Sequence, residues 1–243
     1  MSSLTILVAV DIVEDQVVRL TKGEMEEKTV YGDDPIETAL DWEKQGAKWL
    51  HVVDLDGATK GDQRNSKAIE EILNSTTIPV EVGGGIRTIE AIAGWVERGA
   101  ARVCIGTKSM DPQFLDEAVK EFGDKLLVAV DAHGGIVRVG GWQQVSGTPT
   151  LDAVRRIADA GVSRIMFTDI ERDGTLMGPN LESIEEVLDA VDLPIIASGG
   201  VTSEHDISAL AKLAPKGLEG VIIGKALYTG AIKLAAAHDA ASG

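Results

Sequence analysis

Leu7-Val8-Ala9-Val10-Asp11 returns as Leu127-Val128-Ala129-Val130-Asp131, the same pentapeptide 120 positions later in a chain of 243 residues. Each copy is a continuous apolar run ending in a carboxylate, the pattern of a strand buried on both faces of a parallel sheet. The repetition extends outward from there. Val18-Arg19 is echoed by Val137-Arg138, Pro79–Ile86 corresponds to Pro194–Val201 at a shift of 115, and Ile105-Gly106 matches Ile223-Gly224 at a shift of 118. Convergence of buried strands on valine and alanine would explain Val-Ala-Val, but not the paired aspartates, glycines and shifts together. The repeat predicts two halves that are copies of each other, about 1–123 and 124–243.

Six further β-branched runs accompany that pair: Trp49–Val53, Ile78–Val82, Arg102–Ile105, Arg164–Phe167, Pro194–Ala197 and Gly220–Ile223, with the first and fifth running over Leu4–Val10 and Leu126–Val130. Between them lie amphipathic segments of helical period, such as Ile89, Ile92, Ala93 and Val96, or Ile184, Val187, Leu188 and Val191. Asp111-Pro112 reads as a cap followed by proline at the first helical position, and Ser203 with Asp206 as a capping box. Eight units of roughly 30 residues suit minimal βα repeats. No linker or composition break divides the chain, so the expectation is an α/β protein: one (β/α)₈ TIM barrel over 1–243, made of two duplicated half-barrels.

Composition narrows the function. Hydrophobic residues make up 44% and charged residues 26%, enough for a full core, while 23 basic against 39 acidic residues give a net charge of −16. A nucleic-acid binder needs a basic footprint, so no nucleic-acid partner is expected. The single cysteine, Cys104, excludes an intrachain disulfide framework, and the apolar run at the start stops at Asp11, too short to span a membrane. A cytoplasmic chain without a membrane partner is expected. His51, His133, His205 and His238 show no metal-ligand spacing, so no metal site is read.

In such barrels the chemistry lies at the carboxyl ends of the strands. The glycines there, Gly84, Gly85 and Gly106 in one half and Gly199, Gly200 and Gly224 in the other, let backbone approach a phosphate at the start of a helix. Thr107 and Lys225 follow the last of these glycines in each half. Two such cradles imply a small substrate phosphorylated at both ends. Plain turn glycines would show the same residues singly, but not in symmetry-related pairs. Asp11 and Asp131 face each other across the mouth if the halves are related by a two-fold axis, and a partly desolvated carboxylate suits acid–base work. Pairing with Arg19 or Arg138 is the structural alternative. A third acidic cluster, Thr168-Asp169 through Asp173-Gly174, follows the sixth strand, and Trp142 sits in a loop with no core to fill. Trp42, Trp49 and Trp95 fall in helix or strand signals and read as core.

Taken together, Ala9-Val10-Asp11 with Val18-Arg19-Leu20, His51-Val52-Val53-Asp54-Leu55, Gly83-Gly84-Gly85-Ile86-Arg87, Gly141-Trp142, Thr168-Asp169-Ile170 with Arg172-Asp173-Gly174-Thr175, Ser198-Gly199-Gly200 and Gly224-Lys225-Ala226-Leu227 resemble the HisA family. These are the phosphoribosylformimino-5-aminoimidazole carboxamide ribotide (ProFAR) isomerases of histidine biosynthesis. The resemblance implies an Amadori rearrangement of an aminoaldose to an aminoketose, without cofactor or metal, by a chain expected to act as a monomer. It implies Asp11 as general base at C2, and Asp131 or Asp173 as proton donor. Asp173 is favoured for ring opening, with Asp131 and Thr168 holding the substrate. Arg19, Arg87 and Trp142 join the glycines, Thr107 and Lys225 as binding residues. Three alternatives stand beside it. A HisF-type cyclase would carry lysine at Arg19 and lack Gly141-Trp142. A bifunctional PriA-type isomerase, also acting on phosphoribosylanthranilate, would carry arginine at Gly140. A non-catalytic bisphosphate-binding module would not need the three aspartates.

Overall fold

A computed structural model describes residues 4–61 and 64–242 of the chain. Twelve strands lie among the described residues: β1 (Thr5–Val13), β2 (Gln16–Thr21), β3 (Glu24–Gly32), β4 (Leu50–Asp54), β5 (Val80–Gly83), β6 (Arg102–Ile105), β7 (Leu126–His133), β8 (Ile136–Val139), β9 (Gln144–Pro149), β10 (Ile165–Asp169), β11 (Ile195–Ser198) and β12 (Leu218–Ile223). Eight of them, β1, β4, β5, β6, β7, β10, β11 and β12, pair in parallel in that order, and β12 pairs with β1 to close the barrel. Helices cross between successive barrel strands on the outside.

The period of two along each strand sorts the side chains into two layers. On β1, Ile6, Val8, Val10 and Ile12 join the large cluster between sheet and helices. Leu7 and Ala9 point into the barrel, where they meet Cys104, Leu127, Met166, Ile196 and Ile222. Asp11 continues the inward row two residues past Ala9, and Asp131 does the same two residues past Ala129. Alternation alone therefore delivers both carboxylates to the inner face of the mouth.

The expected strands are all present, but β1 and β7 run beyond Val10 and Val130. Each folds back as an antiparallel hairpin, with Asp11 opposite Val18 and Ala132 opposite Val137. The turns are built alike: Glu14 and Asp15 have φ of 51° and 60°, and Gly134 and Gly135 have φ of 58° and 75°. Glycine takes this left-handed conformation freely, whereas Glu14 and Asp15 are held in it by neighbours. The Glu14 amide donates to Asp56 at 2.9 Å and the Asp15 amide to Asn65 at 2.9 Å. The outer strands β3 and β9 are mostly exposed and carry no apolar run, so the hairpins left no sequence signal.

The helix caps match the reading. Asp111 caps Pro112–Phe122 by accepting from the Phe114 amide, and Ser203 and Asp206 form the capping box of Glu204–Ala211. Of the tryptophans read as core, Trp42 and Trp95 are buried. Trp49 is not fully so: it lies half-buried with the Arg102 guanidinium 4.2 Å from its ring centroid, because its strand begins only at Leu50.

Candidate active site

One cavity opens at the carboxyl ends of the barrel strands; the catalytic and binding candidates from the sequence all line it, whereas Asp169 of the acidic cluster does not. The carboxylates reach it by different routes. Asp11 on β1 is gripped by Arg19 of β2, Nη1 to Oδ2 at 2.6 Å. Arg19 is itself buried. It also donates to the Ala9 carbonyl and lies 4.9 Å from the Tyr228 ring centroid. Burial opposes the charge on this guanidinium, yet Asp11, Tyr228 and Asp173 together outweigh that and hold its proton more firmly than in water. The sequence offered Arg19 both as a ligand for substrate and as a partner for an aspartate; the fold places it first against Asp11.

Asp131 stands opposite Thr168 in the register of β7 and β10, and the Thr168 hydroxyl and Trp142 indole beside it favour its charged form. Burial nevertheless pushes its carboxyl above the ordinary range, and those donors only moderate the effect. Asp173 lies in the loop after β10. Burial, with Asp11 and Asp131 nearby, raises its carboxyl to about 7 against the opposing pull of Arg19 and Lys225. Near neutrality this acid is roughly half protonated, beside an Asp11 that has an arginine to neutralise it.

Three loops meet over the mouth. The Lys22 amide donates to the Asp173 carbonyl at 3.0 Å. Lys225 reaches the Gly174 carbonyl at 2.7 Å and the Thr21 hydroxyl at 3.0 Å, tying the β2–β3 turn to the loop after β10. Trp142, with φ of 70°, packs its ring on Gly23, where a Cβ would stand 2.3 Å from a ring carbon. The Gly140 amide of the same loop donates to Thr107 at 2.8 Å. Arg87 lies exposed at the rim above Gly61. His133 is exposed on the β7–β8 hairpin, as a solvated loop histidine would be.

The glycine turns repeat in space as in sequence. Gly84 packs on Asp54, where a Cβ would lie 2.1 Å from the carbonyl oxygen, and Gly199 packs on Asp169 in the same way at 2.8 Å. Gly106 and Gly224 share one backbone conformation, φ −110° and ψ −103° against φ −113° and ψ −97°. A clamp missed in the sequence holds each turn from below. The Asn65 amide donates to Asp54 at 2.6 Å, and the Asn180 amide to Asp169 at 2.7 Å, with Asn65 at the start of the helix Ser66–Ser75 and Asn180 at the start of Leu181–Ala190. Asp54 to Asp169 and Asn65 to Asn180 both stand 115 positions apart, the shift already seen for the glycines, so the signal was present. His51, which lines the cavity floor, was also unassigned.

Comparison with known proteins agrees with this geometry. The family described as histidine biosynthesis protein matches residues 5–233. Among curated relatives, a 1-(5-phosphoribosyl)-5-((5-phosphoribosylamino)methylideneamino)imidazole-4-carboxamide isomerase of Pelotomaculum thermopropionicum is 46% identical over 99% of this chain and 93% of its own length. Proteins of the same name from Desulforudis audaxviator, 47% identical over 96% of this chain and 90% of theirs, and from Novosphingobium aromaticivorans, 47% identical over 96% and 97%, are similar to it as well. With a barrel, a repeat and a cavity that fit, and a match over nearly its whole length, this chain belongs to the family of histidine biosynthesis proteins.

Proposed function

We propose that this chain is an aldose–ketose isomerase that converts ProFAR, the substrate named for its relatives, into its ribulosyl isomer. The observation that carries this reading is a pair of carboxylates with opposed surroundings in one cavity: Asp11 neutralised by Arg19, and Asp173 raised to about 7 by burial. Isomerisation needs such a pair. Asp173 gives its proton to the furanose oxygen as the ring opens, and the nitrogen lone pair forms the protonated Schiff base at C1. That cation is the electron sink for removal of the C2 proton by Asp11, which leaves an enaminol. Return of the proton to C1, with loss of the C2 hydroxyl proton, gives the aminoketose.

Asp131 and Thr168 hold the sugar between the two ends. The turns at Gly84, Gly85, Gly106 and Thr107, and at Gly199, Gly200, Gly224 and Lys225, receive the two phosphates, with Arg87 at the rim of the first. Trp142 covers the ligand. The reading takes the chain as a monomer acting on a free bisphosphate in the cytoplasm. No helix among the described residues is long and apolar enough to cross a membrane. The test is turnover of ProFAR by the purified protein, followed by chromatography. Conversion at a kcat of order 1 s⁻¹ or faster is expected for a metabolic enzyme; a protein that binds ProFAR and leaves it unchanged would make this a bisphosphate-binding module instead.

A further inference from the structure

The barrel interior contains a polar rung that the isomerase mechanism above does not use. Ala9, His51, Glu81 and Arg102 are cross-strand neighbours in the register of β1, β4, β5 and β6. His51 Nδ1 lies 2.7 Å from Glu81 Oε1, with both side chains buried. Arg102 sits 3.5 Å from the other oxygen of Glu81 and 2.6 Å from Glu219, which Arg164 also contacts at 3.0 Å. Of its polar members only His51 lines the cavity, with Ala9 beside it.

The second half of the barrel serves as an internal control. At the shifts that align the halves, His51 corresponds to Met166, Glu81 to Ile196 and Arg102 to Gly220. Met166 and Ile196 are buried in the apolar inner layer. Packing at this level therefore needs no ionisable group, and burying such groups costs free energy that apolar residues would not. The polar set survives on one side only, beneath the sugar-binding part of the cavity.

We propose that His51 is a further catalytic residue that takes the proton of the substrate's C2 hydroxyl, and that Glu81 is a positioning residue acting through it. The assignment rests on the isomerase reading and completes its proton balance. When Asp11 returns its proton to C1, the enaminol becomes an oxocarbenium at C2 whose O–H bond must break to leave the ketone. A carboxylate at Nδ1 fixes the imidazole proton there and leaves Nε2 with its lone pair free to accept that hydrogen. The imidazolium is then neutralised by Glu81. Its proton leaves to water with the product, and Asp173 regains from water the proton it gave to the ring oxygen, so acid, base and substrate balance.

The test compares wild type, His51→Gln, Glu81→Gln, the double variant H51Q/E81Q, the double variant H51M/E81I, which copies the other half, and Glu219→Gln, which disturbs the same network away from His51. Steady-state turnover of ProFAR is measured with the low-field proton resonance of the imidazole Nδ1–H. We expect kcat to fall about 10²-fold in H51Q and H51M/E81I and about 10-fold in E81Q, with KM nearly unchanged. The resonance should vanish in all three and persist, with full kcat, in E219Q. Glu81→Gln should have no further effect once His51 is replaced. A folded H51M/E81I enzyme with wild-type kcat overturns the proposal, as does a loss in E81Q that adds in full to that of H51Q; H51M/E81I decides even if E81Q does not fold. An active wild type with unimpaired variants removes His51 alone, whereas an inactive wild type removes the isomerase reading and this step with it.

Discussion

Asp11 on β1 and Asp131 on β7 occupy equivalent places in the two halves of the barrel, each two residues past an inward-facing alanine, yet they meet different company. Asp11 has a guanidinium at 2.6 Å. Asp131 is raised above the ordinary range by burial, with the neutral Trp142 indole and Thr168 hydroxyl beside it to oppose that. The hairpins that follow carry Arg19 and Arg138 at matching positions, so the difference is not one of inventory. In the first half the arginine folds back over Tyr228 onto Asp11; in the second, Thr168 and Trp142 fill that place. The repeat supplies two identical acids, and their neighbours set one against a guanidinium and the other among neutral groups.

The sharpest way to break this comparison is to neutralise each acid in turn. Asp11→Asn should lower kcat by about 10⁴-fold with the fold intact, because only proton transfer is lost; turnover within tenfold of the parent would remove the base assignment. Asp173→Asn should lower kcat by about 10²–10⁴-fold. Asp131→Asn should act mainly on KM, and the opposite split in steady-state kinetics would transfer the donor role to Asp131.

The acid at about 7 gives a pH dependence. Asp173 must be protonated to act, so kcat/KM should fall about tenfold per pH unit above about 7, and a pH series on D173N should lack that limb. A smaller effect separates the two glycines that share one backbone conformation. A Cβ at Gly224 would stand 2.6 Å from the Arg19 guanidinium carbon, while at Gly106 nothing lies within 4 Å. Gly224→Ala should therefore lower kcat/KM about 10-fold more than Gly106→Ala, through displaced Arg19. Equal losses would mean that Arg19 does not depend on that contact.

The smallest effect is on stability. The folded carboxyl of Asp173 lies above its unfolded value of 3.8, so the native state binds a proton that the unfolded chain releases. Its contribution is full in acid and is lost as the pH rises through about 7. Asp173→Asn removes that loss and should raise Tm at pH 8 by about 3 °C, with the gain fading toward pH 4 in calorimetric melts.

Much of this was legible in the sequence. Eight apolar runs gave the barrel because strands buried on both faces need continuous hydrophobicity. The repeated pentapeptide placed Asp11 and Asp131 at the mouth because side chains alternate strictly along a strand. The glycine pairs marked the turns because a Cβ at Gly84 or Gly199 would strike the neighbouring strand's backbone. The two hairpins were not legible: β3 and β9 are solvated, and the first turn uses Glu14 and Asp15, held by side chains far along the chain. Nor was the pairing of His51 with Glu81 readable, since it joins residues on separate strands whose register only the closed sheet fixes.

Order along the chain thus determined the barrel, its repeat and the set of groups at its mouth, because periodicity and backbone sterics are local properties. Which aspartate is neutralised by arginine, which one is raised to about 7 and which histidine gains a buried carboxylate were decided by tertiary structure alone. Charge and desolvation act through space, between residues that meet only when the sheet has closed.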